Sequence, residues 1–107
     1  MTRCEFFMDG DRITGFTVYG HSGYAEAGKD IVCAAISAAV SLAECTINDV
    51  CGGKAKVRVK DADARITLTL PASCDEEDTI QAVLAGLMLY LVDLRDQYPD
   101  YMEVLEV

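Results

Sequence analysis

The amino-acid sequence predicts an α+β domain of two layers, in which an antiparallel sheet is covered on one face by two helices. Three observations support this fold class. Segments that alternate apolar and polar residues occur in two close pairs, as in β-hairpins. Two longer segments carry apolar residues at helical spacing, each as a single stripe. The elements follow one another in the order ββαββαβ, so both helices can cover one face of the sheet.

The first half of the chain is predicted to contain two strands, a loop and a helix. Alternation indicates strands at 3–8 and 12–19. Three glycines then indicate a loop at 20–29 with mobility or unusual backbone angles. Helical spacing begins at Ile31 and continues to about Asn48. Asp30 directly precedes this segment and is a suitable N-cap for the helix.

The second half repeats the pattern of two strands and a helix. Alternating residues predict strands at 54–60 and 65–70, joined by a turn at 61–63. The acidic run 75–78 suits a helix N-terminus, and the apolar stripe of that helix runs from Ile80 to Leu91. A final strand is expected at 102–107, after Pro99.

Length and composition predict one domain over 1–107. Apolar residues make up 51% of the chain and charged residues 25%, which is ordinary for a globular protein. We expect no apolar run long enough to cross a bilayer and no signal peptide, because the N-terminus carries Glu5 and lacks an apolar region followed by small residues. Cytoplasmic residence without membrane contact is therefore expected.

The charge balance argues against direct nucleic-acid binding. Nine basic residues stand against eighteen acidic ones, which gives a net charge of −9. Phosphate binding needs clustered positive charge, whereas this field favours a basic partner or substrate. One basic strand face (Lys54, Lys56, Arg58 and Lys60) leaves contact with RNA open, although a solvated sheet face is the simpler interpretation.

The cysteines are interpreted as free thiols. There are five of them, an odd number with no regular spacing and no C-x-x-C pair. A single histidine is too few for a finger-type zinc site, so neither a metal nor another cofactor is expected. Most of these cysteines are expected to fill the core.

Cys33 and His21 are the residues that best suit catalysis. With Asp30 as N-cap, Cys33 is the third helical residue, near unpaired N–H groups and the positive end of the helix dipole, which favour a thiolate. His21, in the preceding loop, can fold back over the helix start as a general base. Ser37, one turn after Cys33, can contact a substrate or the imidazole. The alternative is a core cysteine and a solvated histidine.

A phosphate-binding loop is disfavoured. Gly23, Gly28 and Lys29 reproduce most of its pattern between a strand and a helix. The next position, however, is Asp30 instead of the Ser or Thr that would hold Mg²⁺, and its carboxylate would repel phosphate.

The same stretch resembles the signature of the bacterial ribosomal-processing cysteine proteases, the Prp family. Their pattern is Gly-His, a small residue, Gly, a short loop, and then Gly-x-Asp-x-x-Cys-x-x-x-Ser. Ser22 departs slightly, since Ala is more usual there. The matching segments here are Gly20-His21-Ser22-Gly23, Gly28-Lys29-Asp30-Ile31-Val32-Cys33 and Ser37.

The resemblance implies a homodimeric enzyme that removes a short N-terminal extension from a large-subunit ribosomal protein. It implies Cys33 as nucleophile and His21 as general base. Asp30 then either caps the helix or orients the histidine, and the two roles are compatible. The loop from Ser22 to Lys29 is expected to act as a mobile lid, and N–H groups at the helix start are the candidate oxyanion hole. Residues in supporting positions are Gly20, Ser22, Gly23, Gly28 and Ser37.

A non-catalytic function remains as the alternative. In that case the chain is a ribosome-associated binding module, which uses the basic strand face and a helix groove.

Overall fold

A computed structural model describes residues 1–26 and 28–107 of the chain. It contains five strands and two helices in the described residues, and a short helical turn follows each of α1 and β3, at Thr46–Val50 and Asp61–Asp63. In chain order the main elements are β1 (Thr2–Asp9), β2 (Arg12–Tyr19), α1 (Ile31–Cys45), β3 (Lys56–Lys60), β4 (Arg65–Thr69), α2 (Glu77–Gln97) and β5 (Met102–Glu106). The predicted α+β class and the ββαββαβ order are confirmed.

The five strands form one sheet in the order β3-β4-β2-β1-β5. Both predicted hairpins are present, because β1 pairs antiparallel with β2 and β3 pairs antiparallel with β4. One detail of the prediction is wrong. The sheet is mixed, since β5 pairs parallel with β1, with Thr2 opposite Met102 and Cys4 opposite Val104.

The parallel pair follows from how the helices connect the strands. Each helix carries the chain back along the sheet, so the strand after it runs parallel to the strand before it. Thus α1 links β2 to β3, and α2 links β4 to β5, which arrives beside β1. As a result, β1, β4 and β5 begin at the same end of the sheet. At that end β2 and β3 finish, and α1 begins.

Both helices pack on the same face of the sheet and share one core. The largest fully buried strand residues are Phe6, Phe16 and Leu68, and their rings and side chains lie on that face. Burial of side chains of this size contributes roughly 1.5–3 kcal/mol each relative to exposure. The helices add buried residues at helical spacing, namely Val32, Ile36, Val40 and Ala43 from α1 and Ile80, Leu84, Leu87, Leu91 and Leu94 from α2.

The start of α2 is attached to the start of β2, at the sheet end opposite the N-terminus of α1. Arg12 forms an ion pair with Glu77 at 2.8 Å. The Gln81 side-chain amide makes two hydrogen bonds to the backbone of Ile13. Its oxygen accepts from the Ile13 N–H and its nitrogen donates to the Ile13 carbonyl, both at 2.8 Å. These bonds fix the direction in which α2 returns across the sheet.

The expectation about apolar runs needs correction. The helical segment Ile31–Val50 has a mean hydropathy of 1.7 and is long and apolar enough, by length and composition, to cross a membrane. One such helix is weak evidence, because the core helix of a globular domain has the same properties. Here α1 buries one side against the sheet and leaves Ile31 and Leu42 exposed.

Candidate active site

The predicted site residues lie together at the end of the sheet where α1 begins. The loop after β2 carries His21 and Ser22, and the first turn of α1 carries Cys33. The β3–β4 turn adjoins them, because the Gly20 N–H donates to the Asp63 carbonyl at 3.1 Å. Neighbouring strand ends therefore hold both sides of the loop in which the histidine lies.

Asp30 caps α1 as predicted. One carboxylate oxygen, Oδ1, accepts the backbone N–H of Val32 at 3.0 Å and that of Cys33 at 2.9 Å. Its own carbonyl accepts the N–H of Ala34 at 3.0 Å. A capped first turn of this kind fixes the helix start and, with it, the position of the Cys33 side chain.

The second carboxylate oxygen of Asp30 binds the loop. The Ser22 hydroxyl donates to Oδ2 at 2.5 Å and accepts the Tyr24 N–H at 3.2 Å. Burial alone raises the pKa of Asp30, but the hydrogen bonds from the Ser22 hydroxyl and the Cys33 N–H outweigh it and lower the pKa to about 2. The carboxylate is therefore ionised at neutral pH and joins the loop to the helix start.

Cys33 is half-buried at the wall of an open cleft, and its sulfur accepts the Ser22 backbone N–H at 3.4 Å. Ser22 directly follows His21, so the peptide group that joins these two residues lies against the thiol. The His21 side chain is exposed and lines the same cleft as Cys33. Within the part of the chain that the structure describes, its imidazole makes no hydrogen bond, which leaves the ring able to turn toward the sulfur.

Gly20 sets the backbone position of the histidine. Its φ is +86°, and a Cβ on this residue would lie 2.7 Å from the Met1 carbonyl oxygen. Glycine is needed here both for the left-handed conformation and for the close approach of the N-terminal strand. Gly23 and Gly28 also have positive φ, of 77° and 85°, but a Cβ on either would meet no atom within 4 Å.

The cleft has a volume of about 750 Å³ and lies between α1 and the sheet. It exists because the helices leave the β3–β4 side of the apolar face uncovered, where Val59 is 68% exposed. Ser37 lines it one helical turn beyond Cys33, as predicted. The other predicted site residues on its wall are Gly20, His21, Gly23, Gly28 and Asp30, whereas Ser22 lies behind the wall with 3% exposure.

Two features of the site differ from the prediction or were missed. The N–H groups of Val32, Cys33 and Ala34 already donate to Asp30, so they are not available as the expected oxyanion hole. Sequence reasoning also missed Tyr24, whose ring packs edge-on against Tyr98 at 5.6 Å and Tyr101 at 5.3 Å between centroids. No local pattern signals this contact, because it joins the loop to the end of α2. Ala27, in the predicted lid, lies outside the described residues.

The comparison with known families decides the identity. The sequence profile of the family described as cysteine protease Prp matches residues 1–103, nearly the whole chain. This chain belongs to the Prp family. It is therefore a cysteine protease, and the resemblance seen in the segment from Gly20 to Ser37 is confirmed.

Relatives of known structure or function agree with this assignment. The ribosomal processing cysteine protease Prp of Bacillus subtilis (strain 168) is 27% identical over 94 residues, which cover 86% of this chain and 84% of the relative. The fold matches the essential ribosomal processing protease Prp from S. aureus, solved with a covalently linked product peptide, at a TM-score of 0.90 and 18% identity over all of both chains. It also matches SMU.848 from Streptococcus mutans, at a TM-score of 0.88 and 18% identity over this whole chain and 94% of the other.

Membership of the Prp family excludes the non-catalytic binding module as the main function. The described residues hold no group of three or more His, Cys, Asp or Glu side chains arranged for a metal ion.

Proposed function

We propose that this protein is an endopeptidase that removes the N-terminal extension of a large-subunit ribosomal protein, with Cys33 as nucleophile and His21 as general base. The observation that carries the assignment of residues is the position of the Cys33 sulfur. It lies on the wall of an open cleft at the start of α1, beside the peptide group of His21. The substrate class is supported by the B. subtilis relative, which is described as a ribosomal processing protease.

Two backbone features lie close to the Cys33 sulfur. The N-terminus of α1 contributes the positive end of its dipole, and the Ser22 N–H donates directly to the sulfur. Asp30 is ionised nearby, but its oxygens are occupied by the backbone N–H groups of Val32 and Cys33 and by the Ser22 hydroxyl. This arrangement favours Asp30 as a helix cap over Asp30 as the partner that orients His21.

The reaction proceeds through an acyl-enzyme. His21 accepts the Cys33 proton, and the sulfur attacks the scissile carbonyl carbon to form a tetrahedral intermediate. The imidazolium then returns the proton to the leaving amine, and the C–N bond breaks. A water molecule, deprotonated by His21, attacks the thioester and releases the acid product, which regenerates the thiol. Ser37, on the same wall of the cleft, is placed to contact the bound peptide.

The test is incubation of the purified protein with the ribosomal-protein precursor of its own host, followed by mass spectrometry of the precursor. We expect loss of a defined N-terminal peptide by the wild type. Cys33→Ala should lower the rate at least about 10³-fold and His21→Gln about 10²–10⁴-fold, with unchanged melting temperatures. Cys45→Ala is the matched control, because Cys45 is an exposed thiol on the same helix. Cleavage by Cys33→Ala at the wild-type rate would refute the assignment.

We propose that residues 1–107 form one protease domain and that the protein acts in the cytoplasm as a homodimer, without direct nucleic-acid or membrane contact. One continuous core and the profile match over 1–103 support the single domain. The dimer is supported by an apolar groove of about 490 Å³ between the outer sides of α1 and α2. Leu42 and Tyr90 line it and are 69% and 46% exposed, so each helix presents a large apolar side chain to a partner at this groove.

The dimer is tested by light scattering coupled to size-exclusion chromatography. We expect the mass of two chains for the wild type and of one chain for Leu42→Glu, which would place two charges in the shared groove. Val50→Glu is the control, because Val50 is also exposed but does not line the groove. A wild type that elutes as a monomer at micromolar concentration would refute this interface.

A further inference from the structure

We propose that the backbone N–H of Ser22 is the hydrogen-bond donor that stabilises negative charge at the reacting centre, and that the Ser22 hydroxyl holds this donor in place. The inference rests on the proposed function, because it assigns a role in the reaction of Cys33. It makes the Ser22 amide a catalytic group and the Ser22 hydroxyl a positioning group.

The direction of the Ser22 amide supports this role. The Ser22 N–H donates to the Cys33 sulfur at 3.4 Å in the free protein, so it points at the atom that will carry the negative charge before attack. When the sulfur has bonded to the carbonyl carbon, the new oxyanion is only two bonds from that sulfur. The Ser22 N–H is therefore directed at the place where the charge develops, which is the geometry of a preorganised oxyanion donor.

Competing N–H donors at the start of α1 are already bonded to Asp30. A helix start next to a nucleophile ordinarily supplies the oxyanion hole from its own free N–H groups. Here the N–H groups of Val32 and Cys33 bind the Asp30 carboxylate, and that of Ala34 binds the Asp30 carbonyl. Releasing one of them would cost the helix its cap. The loop amide is already aimed at the sulfur and needs no such rearrangement.

The Ser22 hydroxyl connects the loop amide to the helix start. Ser22 is only 3% exposed, and its hydroxyl donates to Asp30 and accepts from the Tyr24 N–H. Alanine at this position would leave the amide in the chain but would remove its connection to the helix start. The hydroxyl therefore fixes the distance between the loop amide and the Cys33 sulfur by binding the same carboxylate that caps the helix.

In the reaction, the sulfur lone pair forms the bond to the carbonyl carbon, and the carbonyl π pair moves to oxygen. The thiol proton has passed to His21. The Ser22 N–H transfers its hydrogen bond from sulfur to the oxyanion, without giving up the proton. When the C–N bond breaks, the pair returns from oxygen to re-form the carbonyl, the amine takes the proton from His21, and the hydrogen bond of Ser22 weakens.

The test removes that single N–H. The junction between Val32 and Cys33 allows the full chain to be assembled by native chemical ligation, with the α-hydroxy acid analogue of serine at position 22, so that an ester replaces the amide. We expect kcat for the precursor peptide to fall roughly 10²–10³-fold with KM changed less than about threefold. The matched controls are the all-amide ligated chain and a chain with the ester at Gly10, in the β1–β2 turn at the opposite end of the sheet.

The outcomes separate this inference from the proposed function. If the all-amide chain does not cleave the precursor, the proposed function fails. If the all-amide chain cleaves it and the ester at position 22 cleaves at a rate within twofold, only the inference fails. Ser22→Ala tests the hydroxyl. Because Ala is the more usual residue at this position in the family, we expect kcat to fall only about 3- to 10-fold, while Ser73→Ala, an exposed serine, stays at the wild-type rate. Wild-type kcat in Ser22→Ala would refute the positioning role.

A measurement on the unmodified protein covers the case in which the ester chain does not fold. A peptide aldehyde forms a hemithioacetal with Cys33, whose oxygen occupies the position of the oxyanion. We expect the Ser22 amide proton to shift downfield and to exchange more slowly with solvent in this adduct, as measured by ¹⁵N-edited NMR. An unchanged Ser22 amide in the adduct, with the shift on another N–H, would overturn the proposal.

Discussion

Replacing Asp30 by alanine tests the central electrostatic feature of the site, which is one carboxylate that joins the helix start to the loop. The change removes the cap on the N–H groups of Val32 and Cys33 and the acceptor of the Ser22 hydroxyl. We expect a large loss of stability, because three hydrogen bonds to a charged group are lost together and the first turn of α1 is left with free donors.

The part of the loss that depends on the carboxylate charge follows from the lowered pKa of Asp30. The carboxyl has a pKa of about 2 in the folded protein, against about 3.9 in an unfolded chain. This difference corresponds to about 2.6 kcal/mol at neutral pH, and partial solvent screening at this half-buried position reduces it to roughly 2 kcal/mol. The range of about 0.5–2 kcal/mol for loss of an N-cap agrees with that figure. A domain of this size should then melt about 10 °C lower.

The same shift predicts how the loss depends on pH. Since the pKa of Asp30 is lower in the folded state, its contribution is complete above about pH 5 and declines as the pH falls toward 2. Urea denaturation of the wild type and Asp30→Ala at pH 7 and pH 2.5 measures this directly. The difference in unfolding free energy should be about 2 kcal/mol at pH 7 and less than half of that at pH 2.5.

Asp30→Asn is the matched variant, because asparagine is a comparable N-cap that lacks the charge. It should recover about half of the loss at pH 7 and should show little dependence on pH. A difference between wild type and Asp30→Ala below about 0.5 kcal/mol at pH 7, or one that stays constant down to pH 2.5, would refute the reasoning.

Three further predictions address the loop and the thiols. Gly20→Ala should lower the melting temperature by about 5 °C or more in differential scanning calorimetry, because φ is positive there and the new Cβ would lie 2.7 Å from the Met1 oxygen. Gly10→Ala is the control and should lower the melting temperature less, because its Cβ would meet no atom within 4 Å. Tyr24→Ala should raise KM several-fold and speed amide exchange in residues 22–26, whereas Tyr24→Phe should not, since the ring makes the edge-on contacts with Tyr98 and Tyr101. Burial raises the pKa of Cys4 to about 12, so maleimide should label it only after unfolding, whereas it labels Cys45 in the native protein; early labelling of Cys4 would contradict the fold.

Local patterns predicted the elements of the fold and part of the pairing. The alternation in 3–8 and 12–19 predicted β1, β2 and the hairpin between them, and the apolar stripes at helical spacing predicted both helices. The parallel pairing of β5 was not predicted. The alternation of apolar and polar residues, with the residues of the turn between two segments, determines which neighbouring segments form a hairpin. The position of β5 depends instead on which sheet edge α2 reaches after crossing the sheet.

The site was predictable where the spacing along the chain fixes the geometry. Asp30 three residues before Cys33 is the spacing of an N-cap to its N3 residue, and the structure shows the expected bond at 2.9 Å. The same cap limits the expected oxyanion hole, because the N–H groups of Val32, Cys33 and Ala34 already donate to Asp30. The contact of the Ser22 N–H with sulfur depends on the path of the loop, which three glycines leave undetermined from sequence.

Different residues of the loop after β2 contribute different physical properties to the site. Gly20 supplies backbone conformation, Ser22 donates two hydrogen bonds and accepts a third, and Tyr24 packs its ring against Tyr98 at the end of α2. His21 lies between the first two and is exposed. Its backbone is thus held on both sides while its ring can turn between the thiol and a leaving amine. A general base that must move a proton twice in one turnover needs this combination of fixed backbone and rotatable side chain.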